Sequence, residues 1–308
     1  MEKIMAIVNP ISGGGRTKKV WPDDYKLFVD NNLLIDYKYT LHPGHATELT
    51  ELSLRKGYRK IMAVGGDGTV NEVINGMYIN NELIEDESSL IILPRGSGSD
   101  FIKSINIAKT PGEIIKMIKN GKIKYYDLGQ VTYVTKANKN ASRFFINVLD
   151  AGIGGETVAF MENRKKVLGG IWDYFFSVIR TIIRYKNKKM SLFVDNEMVF
   201  SERMINSIIF ANGGTFAGGM NIAPGADPED GRLNIIILGN LSRMEIIINL
   251  SRAYKGKHLN HPKIKVLYGS EISLDSKERV ILDMDGEYIG KLPLKIKLLP
   301  HKLPLFSR

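Results

Sequence analysis

The chain of 308 residues carries 43 Lys and Arg against 33 Asp and Glu, a formal net charge of +10, and 44% of it is hydrophobic. It is long enough for two cores. It lacks the cysteines that a disulfide or a thiolate metal site needs, and no apolar run of about eighteen residues could span a bilayer. The positive excess points to an anionic partner, a nucleotide or an acidic membrane surface, or to lysines scattered over a solvated face; no dense Lys/Arg run or RNA-reading signature points to nucleic acid.

Met1 to Pro10 carries an acid and only a short apolar run, so it reads as a first strand over Lys3 to Val8 rather than a signal peptide. The loop Asn9-Pro10-Ile11-Ser12-Gly13-Gly14-Gly15-Arg16 follows, then a helix from about Thr17 to Asn31. Ser12 and the amides of Gly13 to Gly15 suit a phosphate chain, but the Gly-Lys-Ser/Thr ending of a Walker loop is missing. Asp36 to Leu41 is a short strand, and His42-Pro43-Gly44-His45 turns it into a helix over Ala46 to Lys56.

The next strand ends in Gly65-Gly66-Asp67-Gly68-Thr69, the most informative stretch of the chain. Three glycines let backbone N–H groups approach an anion, and Thr69 is expected to cap a helix from Val70 to Met77 whose positive end faces the same space. A carboxylate facing phosphates is repulsive unless a cation intervenes, so Asp67 implies a divalent metal, magnesium by its preference for oxygen. The plainer reading is a strand-to-helix turn in which Asp67 is a local acceptor. Leu90 to Pro94 is another strand, ending in Arg95-Gly96-Ser97-Gly98-Ser99-Asp100, and a helix follows over Pro111 to Asn120. Strand-helix alternation predicts a mostly parallel sheet with all three loops at strand carboxyl ends, where such sheets bind ligands.

Beyond this point strands dominate: Tyr125 to Val134 and Arg143 to Leu149 as a hairpin, then Met190 to Asp195, Ile205 to Asn212, Leu233 to Leu238, Ile264 to Tyr268, Glu271 to Leu274, Arg279 to Met284 and Leu294 to Leu299. The fold class is therefore α/β plus all-β: a nucleotide-binding domain over 1–126 and an antiparallel β-rich domain over 127–291, with the tail at about 292–308 able to return to the first. Two helices interrupt the strands. Val167 to Tyr185 holds Trp172, Tyr174, Phe175 and Phe176 with basic edges, which suits a membrane contact, a roof over a lipid site or simple packing on the sheet. Met244 to Tyr254 reads as a packing helix, and His258 and His261 lack a carboxylate at ligand spacing.

Together the loops resemble the diacylglycerol kinase catalytic-domain family, particularly its soluble bacterial lipid kinases, over nearly the whole chain. Asn9-Pro10-Ile11-Ser12-Gly13 is similar to the family's Asn-Pro-x-Ser-Gly loop, and Gly65-Gly66-Asp67-Gly68-Thr69-Val70-Asn71-Glu72 to its Gly-Gly-Asp-Gly-Thr-x-Asn-Glu signature. Pro94 to Phe101 stands where the family has Pro-x-Gly-Thr-x-Asn-Asp-Phe, with Ser97 and Ser99 replacing the Thr and the Asn. The resemblance implies ATP at these three loops, with Gly96, Ser97 and Asp100 in the third, and Thr40 at the nucleoside. It also implies a magnesium held by Asp67 with Asp100.

Later segments match as well. Ile222 to Leu233 resembles the family's Asp-Gly segment, implying a structural magnesium on Asp227, Asp230 and the Arg232 carbonyl; residues i, i+3 and i+5 of a tight turn can converge oxygens on a hard cation, and a solvated acidic turn is the alternative. Asp127, after the crossover, would link that ion to the active site. Asp283-Met284-Asp285-Gly286-Glu287 is similar to the Asp-Gly-Glu motif, whose carboxylates, Asp285 or Glu287, would take the proton of the acceptor hydroxyl; by local geometry alone it is a hairpin turn.

The implied activity is ATP- and Mg2+-dependent phosphorylation of diacylglycerol or a related hydroxylated lipid, by a cytoplasmic protein associated peripherally with the inner face of the membrane, in which a homodimer is allowed. Two alternatives stand beside it. NAD kinases and phosphofructokinases share the Gly-Gly-Asp-Gly turn, although the Asn-Pro-x-Ser-Gly start and the Asp-Gly-Glu favour a lipid kinase. A binding module without turnover would have no use for the base.

Overall fold

The computed structural model describes residues 3–96, 99–105, 107–162 and 170–307, with side chains of the helix at 170–184 described from 176 onward. It divides into two units, Met1–Asp127 with His301–Arg308, and Leu128–Pro300.

In the first unit, strands β1 (Ile4–Val8), β2 (Ile35–Tyr39), β3 (Lys60–Gly65) and β4 (Ser89–Pro94) run parallel in the order β4-β3-β1-β2. Ile4 to Val8 and Ile61 to Val64 are buried throughout, as strands covered on both faces require. Helices α1 (Arg16–Asp30), α2 (His45–Arg55), α3 (Asp67–Met77), α4 (Asp100–Ser104) and α5 (Pro111–Asn120) supply the cover. Trp21 and Phe28, two turns apart on α1, join Ile4, Val8, Met62 and Ile91 in one apolar cluster. Helices α2 and α3 approach closely because Gly76 has no side chain: a Cβ there would lie 2.4 Å from the Thr47 carbonyl oxygen.

The strand order carries the functional consequence. β2 and β3 lie on opposite sides of β1, so the connections leaving β1 and β3 diverge and open a crevice at their carboxyl ends. The chain end also returns to this sheet, with Leu305 opposite Leu90 in parallel. That return starts later than residue 292, because Leu294 to Lys297 pair antiparallel with Glu271 to Leu274 of the second unit.

The second unit begins within β5 (Lys122–Thr135) and continues with β6 (Asn140–Phe145), β7 (Val148–Gly152), helices α6 (Ile153–Glu162) and α7 (Gly170–Arg184), then β8 (Lys188–Val194), β9 (Glu197–Ile205), β10 (Ser207–Ala211) and β11 (Leu233–Leu238). Helix α8 (Arg243–Ala253) precedes β12 (Ile264–Gly269), β13 (Glu271–Asp275), β14 (Ile281–Met284) and the long β15 (Glu287–Ser307). One antiparallel ladder runs β12-β11-β10-β7-β14 and a second runs β9-β8-β13. β15 belongs to both, pairing first with β14 and then with β13. Phe145, Leu149, Leu192, Phe210, Ile235, Leu282 and Leu294 fill the space they enclose.

One local reading changes, and two elements appear that the sequence reading did not name. The single run from Arg143 to Leu149 is two strands, broken at Ile146-Asn147. β9 shows no apolar alternation because only its last residue is buried, as an edge strand permits. Helix α6 opens with Gly154-Gly155, glycines that serve contact, since a Cβ on Gly155 would lie 2.3 Å from the Ile281 carbonyl oxygen. Trp172, Tyr174 and Phe175 lie among the undescribed side chains. Among the described residues no helix is long and apolar enough to cross a membrane.

Candidate active site

The three small-residue loops of the first unit meet at the β1/β3 crevice and are tied together by short polar side chains bonding to one another and to backbone carbonyls. Asn9 donates from Nδ2 to Thr69 Oγ1 at 2.9 Å, joining the loop after β1 to helix α3, and its Oδ1 accepts the Ile11 amide at 3.2 Å. Thr69 is therefore not the cap of α3. The helix begins at Asp67 with Gly66 in extended conformation at its N-cap position and no side-chain cap, so the first amides of α3 face the crevice. Gly65 must be glycine because a Cβ would sit 2.4 Å from Thr69 Oγ1.

Arg95 links the first and third loops. Its carbonyl accepts Ser12 Oγ at 3.2 Å and Thr17 Oγ1 at 3.3 Å, and a Cβ on Gly13 would approach that oxygen to 2.7 Å. Its guanidinium grips Asp24 Oδ2 of α1 through Nε at 2.9 Å and Nη2 at 2.6 Å. Ser12 thus spends its hydroxyl proton on the protein, which leaves the loop's amides to hold an anion; among the described residues, those of Gly13 and Gly14 have no acceptor. Gly66 and Gly96 face each other so closely that a Cβ on Gly96 would be 2.3 Å from Gly66 Cα. The floor between β3 and β4 is therefore bare backbone, the surface a polyphosphate needs. Ser97 lies outside the described residues.

Asp67 is half-buried beside this floor, and its Oδ2 accepts the Asp100 amide at 2.9 Å. Burial raises its pKa above the ordinary carboxylate value; the amides of Asp100 and Phe101 pull it back, and the Asp100 charge pushes it up again. Asp100 is buried and held by Lys103 Nζ at 2.7 Å. Asp67, desolvated and beside the Asp100 charge, fits a divalent cation, which would relieve it; Asp100 could share that ion by releasing Lys103.

The flanking residues divide by role. Val70 and Asn71 are buried within α3. Glu72 accepts the Gly44 amide at 2.9 Å and the Ala46 amide at 3.1 Å, one on each carboxylate oxygen, so it pins the start of α2 and its carboxylate is spent on that. Pro10 and Ile11 continue the first loop, Ile11 highly exposed. Thr40 follows β2, and its amide bonds the Val8 carbonyl at 2.9 Å, at the same end of the sheet. Asp127 is fully buried in the first unit, where its Oδ1 accepts the His301 amide at 2.9 Å.

In the second unit, Asp285-Gly286 forms the two-residue turn between β14 and β15, both at positive φ, 51° and 88°. The Val148 amide donates to Asp285 Oδ1 at 3.0 Å, and Glu287 is paired with Arg143 Nη1 at 2.9 Å. Two further acids are Asp150, which the sequence reading did not name, and Asp283, which it named as the start of the Asp-Gly-Glu segment without a role of its own. Asp150 on β7 and Asp283 on β14 are directly opposite each other in register and both buried. Burial pushes Asp150 up to about 7, against the pull of the Ser207 hydroxyl, and raises Asp283 well above the ordinary range with Asp150 adding to it. Each sits mid-strand among apolar residues, and no spacing in the sequence links them.

The acidic turn near 230 is closed by its own bonds. Asp227 Oδ1 accepts the Glu229 amide at 3.0 Å, and Asp230 accepts both the Arg232 amide at 3.1 Å and Arg232 Nε at 3.0 Å. The guanidinium lies on an exposed side chain, and a cation on Asp227, Asp230 and the Arg232 carbonyl would take its place on Asp230. A different group, His42, His45 and Glu48, gathers ligand atoms within 4.8 Å of one another at the start of α2, the two imidazoles stacked at 4.7 Å. His258 is buried with Nε2 3.0 Å from the Ile222 carbonyl oxygen, and His261 lies 3.6 Å from Glu245.

Comparison with known proteins places this geometry. Residues 3–131 match the diacylglycerol kinase catalytic domain, and residues 147–307 match the YegS C-terminal NAD kinase beta sandwich-like domain. A diacylglycerol kinase of Staphylococcus saprophyticus is 27% identical over 98% of this chain and 94% of its own length, and one of Bacillus subtilis is 25% identical over 95% and 92%. The crystal structure of a candidate diacylglycerol kinase from Bacillus anthracis str. Sterne superposes with a TM-score of 0.75 at 23% identity, covering 100% of this chain and 97% of that one. Yeast NADH kinase complexed with NADH shares the fold at 11% identity, with a TM-score of 0.60 over 99% and 83%. The chain therefore belongs to the kinase family defined by these two domains together, a diacylglycerol kinase catalytic domain followed by a YegS C-terminal NAD kinase beta sandwich-like domain.

Proposed function

We propose that this protein is an ATP- and magnesium-dependent lipid kinase that phosphorylates the hydroxyl of diacylglycerol or a related lipid. The observation that carries the reading is the bare-backbone floor at the switch point, where Gly66 and Gly96 leave no room for side chains and Asp67 stands beside it. Phosphoryl transfer needs positioning and charge neutralisation more than covalent help. The amides of Gly13, Gly14 and the first turn of α3 hold the phosphates, and Thr40 meets the nucleoside. Asp67 with Asp100 would hold the magnesium, which when bound supplies positive charge to the phosphate oxygens.

The acceptor's proton goes to a carboxylate of the Asp285-Gly286-Glu287 turn. Asp285 is favoured, because Glu287 would first have to give up its ion pair with Arg143. A lipid acceptor places the protein peripherally at the inner face of the membrane, and a homodimer is the assembly we propose there. Sequence similarity to proteins named diacylglycerol kinase supports the lipid; the fold shared with a yeast NADH kinase keeps a soluble acceptor as the second reading. Transfer of labelled γ-phosphate from ATP to dispersed diacylglycerol and other hydroxylated lipids, with NAD and fructose 6-phosphate alongside, separates them. Label in a lipid is the expected result; label in a soluble acceptor alone would overturn the lipid reading.

A further inference from the structure

Two of the chain's five histidines stand together where β2 turns into α2. Pro43 and Gly44, the latter at a φ of 83°, reverse the chain so that His42 stacks on His45, with ring centres 4.7 Å apart and planes 16° from parallel. Glu48 follows one turn along α2, and ligand atoms of the three side chains lie within 4.8 Å of one another. The backbone beneath them is held from another element. Glu72 of α3 accepts the Gly44 amide at 2.9 Å and the Ala46 amide at 3.1 Å, on either side of His45.

The bonds each side chain already makes decide what it can hold. His42 Nδ1 donates to the Pro43 carbonyl oxygen at 3.0 Å, which leaves the lone pair of the neutral ring on Nε2, the arrangement that metal-binding imidazoles use. His45 Nδ1 accepts the Leu41 amide at 3.0 Å; that bond is exposed, so water can take the ring's place and release the nitrogen. Among the described residues Glu48 makes no ion pair, so no cation already satisfies its carboxylate. A tetrahedral zinc ion holds its ligand atoms about 3.4 Å apart, so exposed and half-buried side chains gathered this closely need only small torsional adjustments. Two imidazoles and a carboxylate suit a borderline transition metal, whereas magnesium, which prefers oxygen and keeps its waters, gains little from them.

From the stacked imidazoles, the Glu48 carboxylate and the His42 bond to Pro43, we propose that the start of α2 binds a divalent transition-metal ion, with zinc as the probe. His42, His45 and Glu48 supply three ligands and water the fourth. The site is separate from the magnesium proposed at Asp67, and it stands whether or not the chain phosphorylates a lipid.

The test is calorimetric titration of the full chain with zinc chloride in a buffer that holds millimolar magnesium. One zinc ion should bind per chain, and His42→Gln/His45→Gln should lose about tenfold or more in affinity. Two controls should stay near the parent: His261→Gln/His301→Gln, which removes two imidazoles elsewhere, and Asp67→Ala, which removes the carboxylate at the proposed magnesium site. Cobalt in place of zinc should give the visible absorption of a tetrahedral site, lost in the same double variant. Absence of zinc binding, displacement by magnesium, or equal loss in the His261 and His301 control would overturn the site. Loss in Asp67→Ala alone would put the zinc at the phosphate floor and overturn it as well. If His42→Gln/His45→Gln does not melt like the parent, His42→Gln alone, on an exposed side chain, takes its place under the same criteria.

Discussion

The phosphate floor of the first unit and the acid cluster of the second are built in opposite ways. The floor is made of short glycine-rich strand ends from separate stretches of the chain, with Gly66 against Gly96, and its desolvated carboxylate, Asp67, is met by backbone amides. The acid cluster is made of side chains from distant strands, with Asp150 and Asp283 pressed together by register alone. Asp67 keeps partial exposure as well as its amides, whereas Asp150 and Asp283 are buried beside each other, where the Ser207 hydroxyl on the one and the Gly286 amide on the other do not offset desolvation.

The sharpest way to break this contrast is Asp67→Ala, which should lower phosphoryl transfer by about 10³-fold or more while circular dichroism and melting stay near the parent. Near-normal turnover would show that the carboxylate beside the floor holds no cation. Next comes the turn: Asp285→Asn should lower kcat by about 10²- to 10⁴-fold, and Glu287→Gln by clearly less, since Glu287 is engaged by Arg143. The reverse order, read from steady-state kinetics, would make Glu287 the base.

Gly96→Ala tests the bare floor without touching charge. A Cβ 2.3 Å from Gly66 Cα forces the two strand ends apart, and an ångström of misplacement should cost about 10²-fold in kcat/KM for ATP. An unchanged value would mean the phosphates lie elsewhere. The smallest expected effect is on stability. Asp150 binds its proton more tightly folded than unfolded, so the stability linked to it is complete below the unfolded value near 4 and is lost as pH rises through about 7. Asp150→Asn should flatten the fall in melting temperature between about pH 4 and 7 and raise it at pH 8 by about 2–4 °C for each kcal/mol regained. A parent curve that rises over that window would contradict the buried acid pair.

Much of the first unit was legible in the sequence, for a physical reason. Parallel strands buried on both faces read as unbroken apolar runs such as Ile4 to Val8, and a backbone phosphate site needs glycines at fixed offsets from a strand end. What the signature blurred was division of labour within it: Glu72 belongs to the same motif as Asp67 but holds the start of α2, and Thr69, read as a cap, is the anchor of Asn9. Local sequence carries no information on which of two nearby carboxylates meets an amide from another helix.

In the second unit the sequence by itself determined that strands would dominate and that Asp285-Gly286 would turn, because alternation and positive-φ preferences are local. Only the tertiary structure decided that Asp150 faces Asp283, and that Arg180 and Arg184 of α7 line one cavity with Arg279 from just before β14. Each depends on strand register or helix placement across scores of residues. A shift of register by one residue would turn every one of those strand side chains to the other face.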